Sequence, residues 1–259
     1  ISKMKKVSII TLSLNSEKNI LDCINSIKNQ SYKNIEHIFI DGNSNDKTLK
    51  IIRKNCNENS VIISEDDNGI YDAWNKGFSK ASGDIVGTVM SDDFLKHNDV
   101  IKNLVDKFER DECDIIYGNM DFLLENEIVR EWKAGNFKKY KYFFGWMAPP
   151  PTVYISKDVL ENNSHFNNDY KIAGDYEFLL RLFFINNYKV KYIDEFIYTL
   201  RMGGISNQSI RNIIRSNIEC YKAWKENNLS IFPFWILLKP FFKIFQILNF
   251  NKFLRFYFK

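Results

Sequence analysis

The stretch VSIITLSLNSEKNILDCINSIKNQSYKNIEHIFID, residues 7–41, decides the fold class of this chain. Its first part, residues 7–14, is a short apolar run typical of a buried strand. Residues 17–29 then carry isoleucines at helical spacing, and residues 35–40 form a second apolar run. A strand, an amphipathic helix and a further strand in this order predict a right-handed βαβ unit with parallel strands.

The same alternation continues to about residue 120 and predicts an α/β fold with a mostly parallel central sheet flanked by helices. The predicted elements are helices over 46–55, 69–80 and 99–109 and strands over 61–64, 85–90 and 114–117. The second half is less regular, with a ribbon over 122–132, an aromatic and Pro-rich loop over 140–151, helices over 174–186 and 208–226, and a strand over 189–193. We therefore predict one domain over residues 1–226 and a tail over 227–259.

Charge is unevenly spread along the 259 residues, whose apolar content of 45% excludes a disordered chain. Residues 227–259 contain five basic residues and no acidic one. Because the net charge is +4, the remaining 226 residues carry about −1, which argues against nucleic acid as a partner. The four cysteines stand far apart without a CxxC pair, so a thiolate metal site is not indicated.

The tail over 227–259 is rich in aromatic residues and lysines and is broken by Pro233 and Pro240. This composition predicts in-plane amphipathic helices on an anionic membrane surface. The alternative is packing on the protein's own sheet or on a second subunit, which leaves a homodimer open. Because we find neither a signal sequence nor a run of about 18 apolar residues, we expect a cytoplasmic protein held peripherally at a membrane.

Acidic residues follow three successive predicted strands, where ligands of open α/β sheets bind. Asp41 follows the second strand, Asp66-Asp67 the third and Asp92-Asp93 the fourth. An adjacent pair of aspartates suits Mg²⁺ or Mn²⁺ bound together with diphosphate oxygens. A turn or helix-capping role is the alternative for each of them.

Nucleotide-binding motifs of two other classes are missing from the sequence. Residues 11–16, TLSLNS, follow the first strand without the glycines of a GxGxxG dinucleotide fingerprint, and no GxxxxGK[ST] loop occurs. Binding of NAD and P-loop binding of ATP are both disfavoured.

Several segments in order resemble family 2 glycosyltransferases with the GT-A fold, over roughly residues 5–215. They are residues 7–48, the run EDDNGIYDAWNKGFSKASGDIVGTVMSDD, the run IAGDYEFLLRL and the run RMGGIS. The resemblance is greatest to bacterial enzymes that build O-antigen, capsule or exopolysaccharide. It implies an inverting, metal-dependent hexosyltransferase that uses a UDP-sugar, with residues 1–120 holding the nucleotide-sugar and residues 121–226 the acceptor.

The resemblance also implies roles for single residues at the donor site. The implied nucleotide-sugar contacts are Thr11, Leu12, Asn15, Asp41, Asp67, Asn75, Lys76, Asp92 and Arg201. Asp93 is implied as the direct ligand of Mn²⁺ or Mg²⁺ within the family's DxD-type element. Gly203, Gly204 and Ser206 match a segment that can close over the donor diphosphate.

On the acceptor side, Asp175 matches the usual position of the catalytic base, at the start of a predicted helix. Glu177 is the rival base and a candidate acceptor contact, and Trp146 is our candidate for stacking on an acceptor sugar. Two features depart from the family pattern. The loop over 140–151 has three prolines where relatives often have His or Gln, and RMGGIS offers no His to a metal. Metal coordination would then rely on carboxylate, diphosphate and water.

The expected reaction transfers a hexose to a saccharide acceptor carried on a polyprenyl diphosphate, at the inner face of a bacterial plasma membrane. Two alternatives are a non-catalytic partner subunit with the same fold and a nucleotidyltransferase. The first would be expected to lack Asp41, Asp93 and Asp175, which are all present. The second would be expected to carry a Gly-rich, basic triphosphate loop near the N-terminus, and we find none.

Overall fold

The fold is described from a computed structural model, which covers residues 4–162, 165–202 and 210–229. The helices are α1 (Ile20–Lys28), α2 (Thr48–Asn55), α3 (Ile70–Lys80), α4 (Val100–Asp111), α5 (Lys157–Asn162), α6 (Gly174–Leu180) and α7 (Ile210–Glu226). The strands are β1 (Val7–Ser13), β2 (Ile35–Asp41), β3 (Val61–Ser64), β4 (Ile85–Thr88), β5 (Phe94–Leu95), β6 (Ile115–Leu124), β7 (Glu127–Trp132), β8 (Tyr154–Ser156) and β9 (Val190–Arg201).

The strands form one sheet in the order β3-β2-β1-β4-β8-β6-β9-β5, and β7 pairs with β6. The first four strands of this order are parallel to one another. Strand β8 runs antiparallel to β4 and β6, β9 runs parallel to β6, and β5 runs antiparallel to β9. The predicted parallel sheet is confirmed for β1 to β4, whereas the short strands β5, β7 and β8 are antiparallel to their neighbours.

The structure differs from the predicted elements mainly in the second half. Strands β5 and β8 and helix α5 were not predicted, because runs of two to six residues are too short to show a periodicity. Strand β6 continues to Leu124, so the predicted ribbon is the end of β6 paired with β7. Strand β9 continues to Arg201, well beyond the predicted end at residue 193, and the helix over 174–186 turns π-helical at Arg181–Ile185.

Alternate residues of β1 face two different hydrophobic clusters, as expected for a strand covered on both faces. Val7 and Ile9 pack with residues of α1, α2 and α4. Ile10 and Leu12 pack on the opposite face with α3, α6 and α7, where most of the buried aromatic rings also lie. Each cluster draws on residues from both sides of position 120.

In the described parts of the chain, no helix combines the length and the apolar content that crossing a membrane requires. The predicted amphipathic tail lies outside the described residues from residue 230 onward.

Candidate functional site

The carboxyl ends of β1, β2 and β3 meet at one edge of the sheet because the three strands run parallel and in register. Ser13 pairs with Asp41 across β1 and β2, and Asp41 pairs with Ser64 across β2 and β3. Strand β4 is also parallel to β1, so the turn that follows it, with Asp92 and Asp93, lies at the same edge. The structure brings the three predicted acidic clusters together there.

The carboxylate of Asp41 is fully buried and serves as an anchor for this edge. Its Oδ1 accepts hydrogen bonds from the hydroxyls of Ser13, at 2.9 Å, and Ser44, at 2.6 Å. Its Oδ2 accepts hydrogen bonds from the Ser44 backbone N–H and the Ser64 hydroxyl, both at 2.9 Å. Four donors compensate the buried charge, so Asp41 fixes the strand ends beneath the crevice.

Asp67 approaches the end of β2 closely. A Cβ atom at Gly42 would lie 2.8 Å from its Oδ2, so a larger residue after Asp41 would displace the Asp67 carboxylate from this position. The Asp67 loop is held by Lys76, whose Nζ donates to the Asp66 carbonyl at 2.8 Å and lies 2.9 Å from a Glu65 oxygen. Lys76 thus acts on this loop from α3.

The amide of Asn75 is engaged by the second half of the chain. Its Nδ2 donates to the Phe166 carbonyl at 3.0 Å, and its Oδ1 accepts from the Phe166 backbone N–H at 2.8 Å. Asn75 therefore ties α3 to the segment that precedes α6, and both ends of its amide are used in doing so.

The three donor contacts predicted at the end of β1, Thr11, Leu12 and Asn15, have different surroundings in the structure. The alternation of the strand turns Thr11 into the core toward α1, where its Oγ1 lies 2.9 Å from Nε2 of His37. Burial lowers the pKa of His37 to about 3, so that imidazole is neutral. Leu12 is buried on the opposite face, and only Asn15, with a left-handed φ of 49°, is exposed at the crevice.

Asp93 is 3% exposed and is held by two donors from β9. The Tyr198 hydroxyl donates to its Oδ2 at 2.7 Å, and the Arg201 backbone N–H donates to its Oδ1 at 2.9 Å. Burial, followed by the neighbouring charge of Asp92, raises the pKa of Asp93 to about 7. The Asp92 carboxylate is partly exposed and accepts no hydrogen bond from the residues that the structure describes.

Arg201 places a positive charge at this pair of aspartates. Its Nη1 lies 3.4 Å from the Asp92 carbonyl oxygen, and its Nη2 donates to an oxygen of Asp22 at 2.8 Å. The predicted closing segment with Gly203, Gly204 and Ser206 follows directly and lies outside the described residues.

Asp175 stands in the first turn of α6, beside the first turn of α3. The Gly174 N–H donates to the Tyr71 hydroxyl at 2.8 Å. A Cβ atom at Gly174 would lie 2.6 Å from the buried Tyr71 ring, so this approach requires glycine. Burial and the charge of Asp175 both raise the pKa of Tyr71, so its hydroxyl stays protonated. Since α3 begins just after the carboxyl end of β3, Asp175 lies at the same edge of the sheet as the acidic clusters.

The two predicted acceptor contacts lie in the core. Glu177 is 4% exposed, and its two oxygens accept hydrogen bonds from the Arg181 guanidinium at 2.7 and 3.0 Å. Trp146 is 8% exposed, its indole N–H donates to the Ala134 carbonyl at 2.8 Å, and its ring packs against Tyr117 and other aromatic rings. Neither side chain is presented to a sugar, because an i,i+4 ion pair holds the first and aromatic packing holds the second.

Sequence reasoning missed three residues of this site. The sequence does not indicate Tyr198 because the predicted strand ends before it, and it indicates Asp22 only as part of a helix. Glu219, on the buried face of α7, accepts backbone hydrogen bonds from residues 171–173. A carboxylate on the apolar face of an amphipathic helix was the signal that could have pointed to it.

The aspartate pair has the chemistry that a hard divalent cation takes. In the described ranges no group of three metal-ligating side chains occurs. Mg²⁺ and Mn²⁺ need no such group, because one or two carboxylates commonly suffice when diphosphate and water complete the shell. Asp92 and Asp93, with little compensating charge nearby besides Arg201, fit that arrangement.

Comparison with known proteins adds a family and a fold. The profile described as "Glycosyl transferase family 2" matches residues 8–213. Glycosyltransferase GlyG of Streptococcus pneumoniae serotype 4 is 27% identical in an alignment 224 residues long that covers 77% of this chain and 72% of that protein.

Two solved structures share the architecture. S. aureus TarS 1–349 in complex with UDP-GlcNAc has a TM-score of 0.67 and 18% identity, over 95% of this chain and 73% of that one. The mannosyltransferase PcManGT from Pyrobaculum calidifontis, in complex with GDP-Man and Mn²⁺, has a TM-score of 0.62 and 15% identity, over 97% and 72%. The predicted GT-A fold is confirmed by this likeness.

The raised pKa of Asp93 leads to a prediction for the metal-free protein. Asp92→Asn removes the neighbouring negative charge, so the pKa of Asp93 should fall from about 7 by roughly half a unit to one unit. Carboxyl ¹³C shifts followed through a pH titration measure it. Asp106→Asn, on the exposed face of α4, serves as the control and should leave the Asp93 titration unchanged. An Asp93 midpoint that does not move in Asp92→Asn would contradict the coupling.

Proposed function

Because the chain belongs to glycosyl transferase family 2, we propose that it is an inverting transferase that moves a hexose from a UDP-sugar to a saccharide acceptor. The observation that carries this proposal is that Asp92-Asp93 and Asp175 lie at the same edge of the sheet. The aspartate pair can hold a cation and a leaving diphosphate, while Asp175 can accept a proton. Residues 1–120 supply most of the donor half, to which β9 adds Tyr198 and Arg201, and residues 121–226 supply the acceptor half.

The donor half offers a preorganised crevice for a nucleotide-sugar. Asn15 and Asp67 reach its edge, whereas Asp41 shapes its floor through the strand ends. Arg201 stands where a diphosphate would lie beside the aspartates. UDP as the nucleotide is supported by the likeness to TarS, whose structure holds UDP-GlcNAc.

Asp93 and Asp92 would hold Mn²⁺ or Mg²⁺ together with diphosphate oxygens and water. When bound, such a cation offsets the negative charge that builds on the leaving diphosphate. Tyr198 and the Arg201 backbone fix the Asp93 carboxylate in one rotamer for this purpose.

Asp175 is the proposed general base. The acceptor hydroxyl oxygen bonds to C1 of the donor sugar, and its proton passes to the Asp175 carboxylate. The bond between C1 and the diphosphate oxygen breaks on the opposite face, and its electron pair leaves with UDP. Asp175 is preferred over Glu177 because Asp175 is partly exposed, whereas Glu177 is 4% exposed and paired with the Arg181 guanidinium.

For the acceptor we propose a saccharide on a polyprenyl diphosphate, within the synthesis of a bacterial surface polysaccharide. The basic, aromatic tail over 227–259 supports a peripheral place on the cytoplasmic face of the membrane. Such a place would hold the crevice near lipid headgroups, where a polyprenyl-linked acceptor is found.

Donor binding tests the metal site. UDP-GlcNAc and other UDP-hexoses, titrated by calorimetry, should bind at least about tenfold more tightly with Mn²⁺ than with EDTA. Asp93→Asn, a neutral side chain of the same shape, should remove this difference while the thermal midpoint stays near that of the unaltered chain. Asp106→Asn should bind like the unaltered chain. A metal effect that survives in Asp93→Asn would contradict the assignment, and selective binding of GDP-mannose would overturn UDP as the nucleotide.

Turnover tests the base. Asp175→Asn should lower kcat by about 10³-fold, because the amide cannot take the acceptor proton, and should leave the donor Kd unchanged. Asp169→Asn, in the exposed loop before α6, is the matched control and should keep full activity. Transfer to a lipid-diphosphate sugar at the normal rate by Asp175→Asn would place the base elsewhere.

Vesicle sedimentation tests the tail. The full chain should sediment with vesicles that contain phosphatidylglycerol, and deletion of residues 231–259 should leave it in the supernatant. Attraction of about 1 kcal/mol per basic residue accounts for the difference. Neutral phosphatidylcholine vesicles are the control for charge. Sedimentation of the shortened chain with anionic vesicles would show that the anchor lies elsewhere.

A further inference from the structure

A buried carboxylate on α7 holds the backbone just before the proposed base. Glu219 is 7% exposed. Its Oε2 accepts hydrogen bonds from the N–H groups of Ala173 at 2.8 Å, Ile172 at 2.9 Å and Lys171 at 3.2 Å. Three successive backbone donors therefore converge on one side chain that lies 46 to 48 positions away in the sequence.

These donors need an external partner. Ala173 is the N-cap of α6, so its N–H has no acceptor within the helix and its side chain has no oxygen to cap the first turn, while Lys171 and Ile172 lie just before the helix. Burial opposes the charge of Glu219, but the backbone hydrogen bonds and Arg215 hold its pKa below the ordinary value. Glu219 is thus an ionised acceptor at the entry to α6.

Helix α7 is itself fixed to the same region. The Trp224 indole N–H donates to the Tyr176 hydroxyl at 2.7 Å, one residue beyond Asp175. The Tyr170 hydroxyl donates to a Glu226 oxygen at 2.7 Å, one residue before the Glu219 contacts. Because the helix is anchored on both sides of residues 171–173, its carboxylate has a fixed position from which to hold them.

We propose that Glu219 is a positioning residue for Asp175, and this rests on the proposed role of Asp175 as the base. Glu219 sets where the chain enters α6 from the α7 side, and the Tyr71 hydroxyl sets it from the α3 side through Gly174. Asp175 comes directly after the residues that Glu219 and Tyr71 hold, so these two contacts fix the position of its carboxylate. Misplacement of a catalytic group by about 1 Å can cost about 10²-fold in rate, which makes such a brace important for turnover.

Two substitutions on α7 test this role. Glu219→Gln keeps the volume but removes the charge and one acceptor oxygen, so kcat should fall by about 10- to 100-fold while the donor KM stays within about twofold. Glu226→Gln is the matched control, because it removes the charge of a carboxylate on the same helix while the glutamine carbonyl oxygen can still accept the hydrogen bond from the Tyr170 hydroxyl, so the anchor of α7 is kept. Its kcat should stay within about twofold of the unaltered chain. Equal losses of kcat in the two variants would overturn the proposal.

The double variant separates positioning from a general effect on the fold. If Glu219 acts only through Asp175, Glu219→Gln with Asp175→Asn should turn over no more slowly than Asp175→Asn alone. Multiplied losses would overturn the proposal, and so would a normal kcat in Glu219→Gln. Should Glu219→Gln fail to fold, Glu219→Asp keeps the charge but shortens the side chain, and a normal kcat there would overturn the proposal as well.

The same assays separate this inference from the proposed function. Normal turnover by Asp175→Asn would mean that the assignment of the base has failed. Loss of turnover in Asp175→Asn together with normal turnover in Glu219→Gln would mean that only the positioning role has failed.

Discussion

The parallel register of β1, β2, β3 and β4 is the constraint on which the rest of the structure depends, because it gathers several carboxylates at one edge of the sheet. Carboxylates gathered at one edge destabilise one another unless hydrogen-bond donors or cations compensate their charges. Asp41 is compensated within the protein by three serine hydroxyls and one backbone N–H. Asp93 receives only two neutral donors, and its raised pKa shows that its charge is incompletely compensated.

This contrast separates the carboxylates by role. Asp41 already accepts four hydrogen bonds, so a bound cation would add little to the compensation of its charge. Its carboxylate instead stabilises the ends of three strands. Asp92 and Asp93 lie next to each other with residual repulsion, so binding of a cation at this pair would lower the free energy of the site. This electrostatic difference supports placing the proposed cation site at Asp92-Asp93 and not at Asp41.

The sequence predicts best where local pattern and fold agree. The βαβ units, the parallel sheet and the acidic strand ends follow from periodicity over residues 7–120, and the structure has them. Prediction is weaker where a residue's partner lies far along the chain. Thr11 was expected in the pocket, but strand alternation turns it to His37, and Trp146 was expected at the acceptor, but aromatic packing buries it. The direction of Thr11 follows from strand alternation, but the partners that hold Thr11 and Trp146 lie outside their own stretches of sequence.

The start of α6 is a second place where prediction from the sequence fails because the partners lie far along the chain. The motif around Gly174 and Asp175 identifies the proposed base, yet its position depends on Tyr71 of α3 and Glu219 of α7. Both partners accept hydrogen bonds from backbone N–H groups of residues 171–174, and such groups carry no side-chain signature in the sequence around residue 175. A short helix of seven residues without a side-chain cap cannot define its own start, so distant elements must do so. The precision of the site is therefore a property of the packed domain, and the motif alone does not contain it.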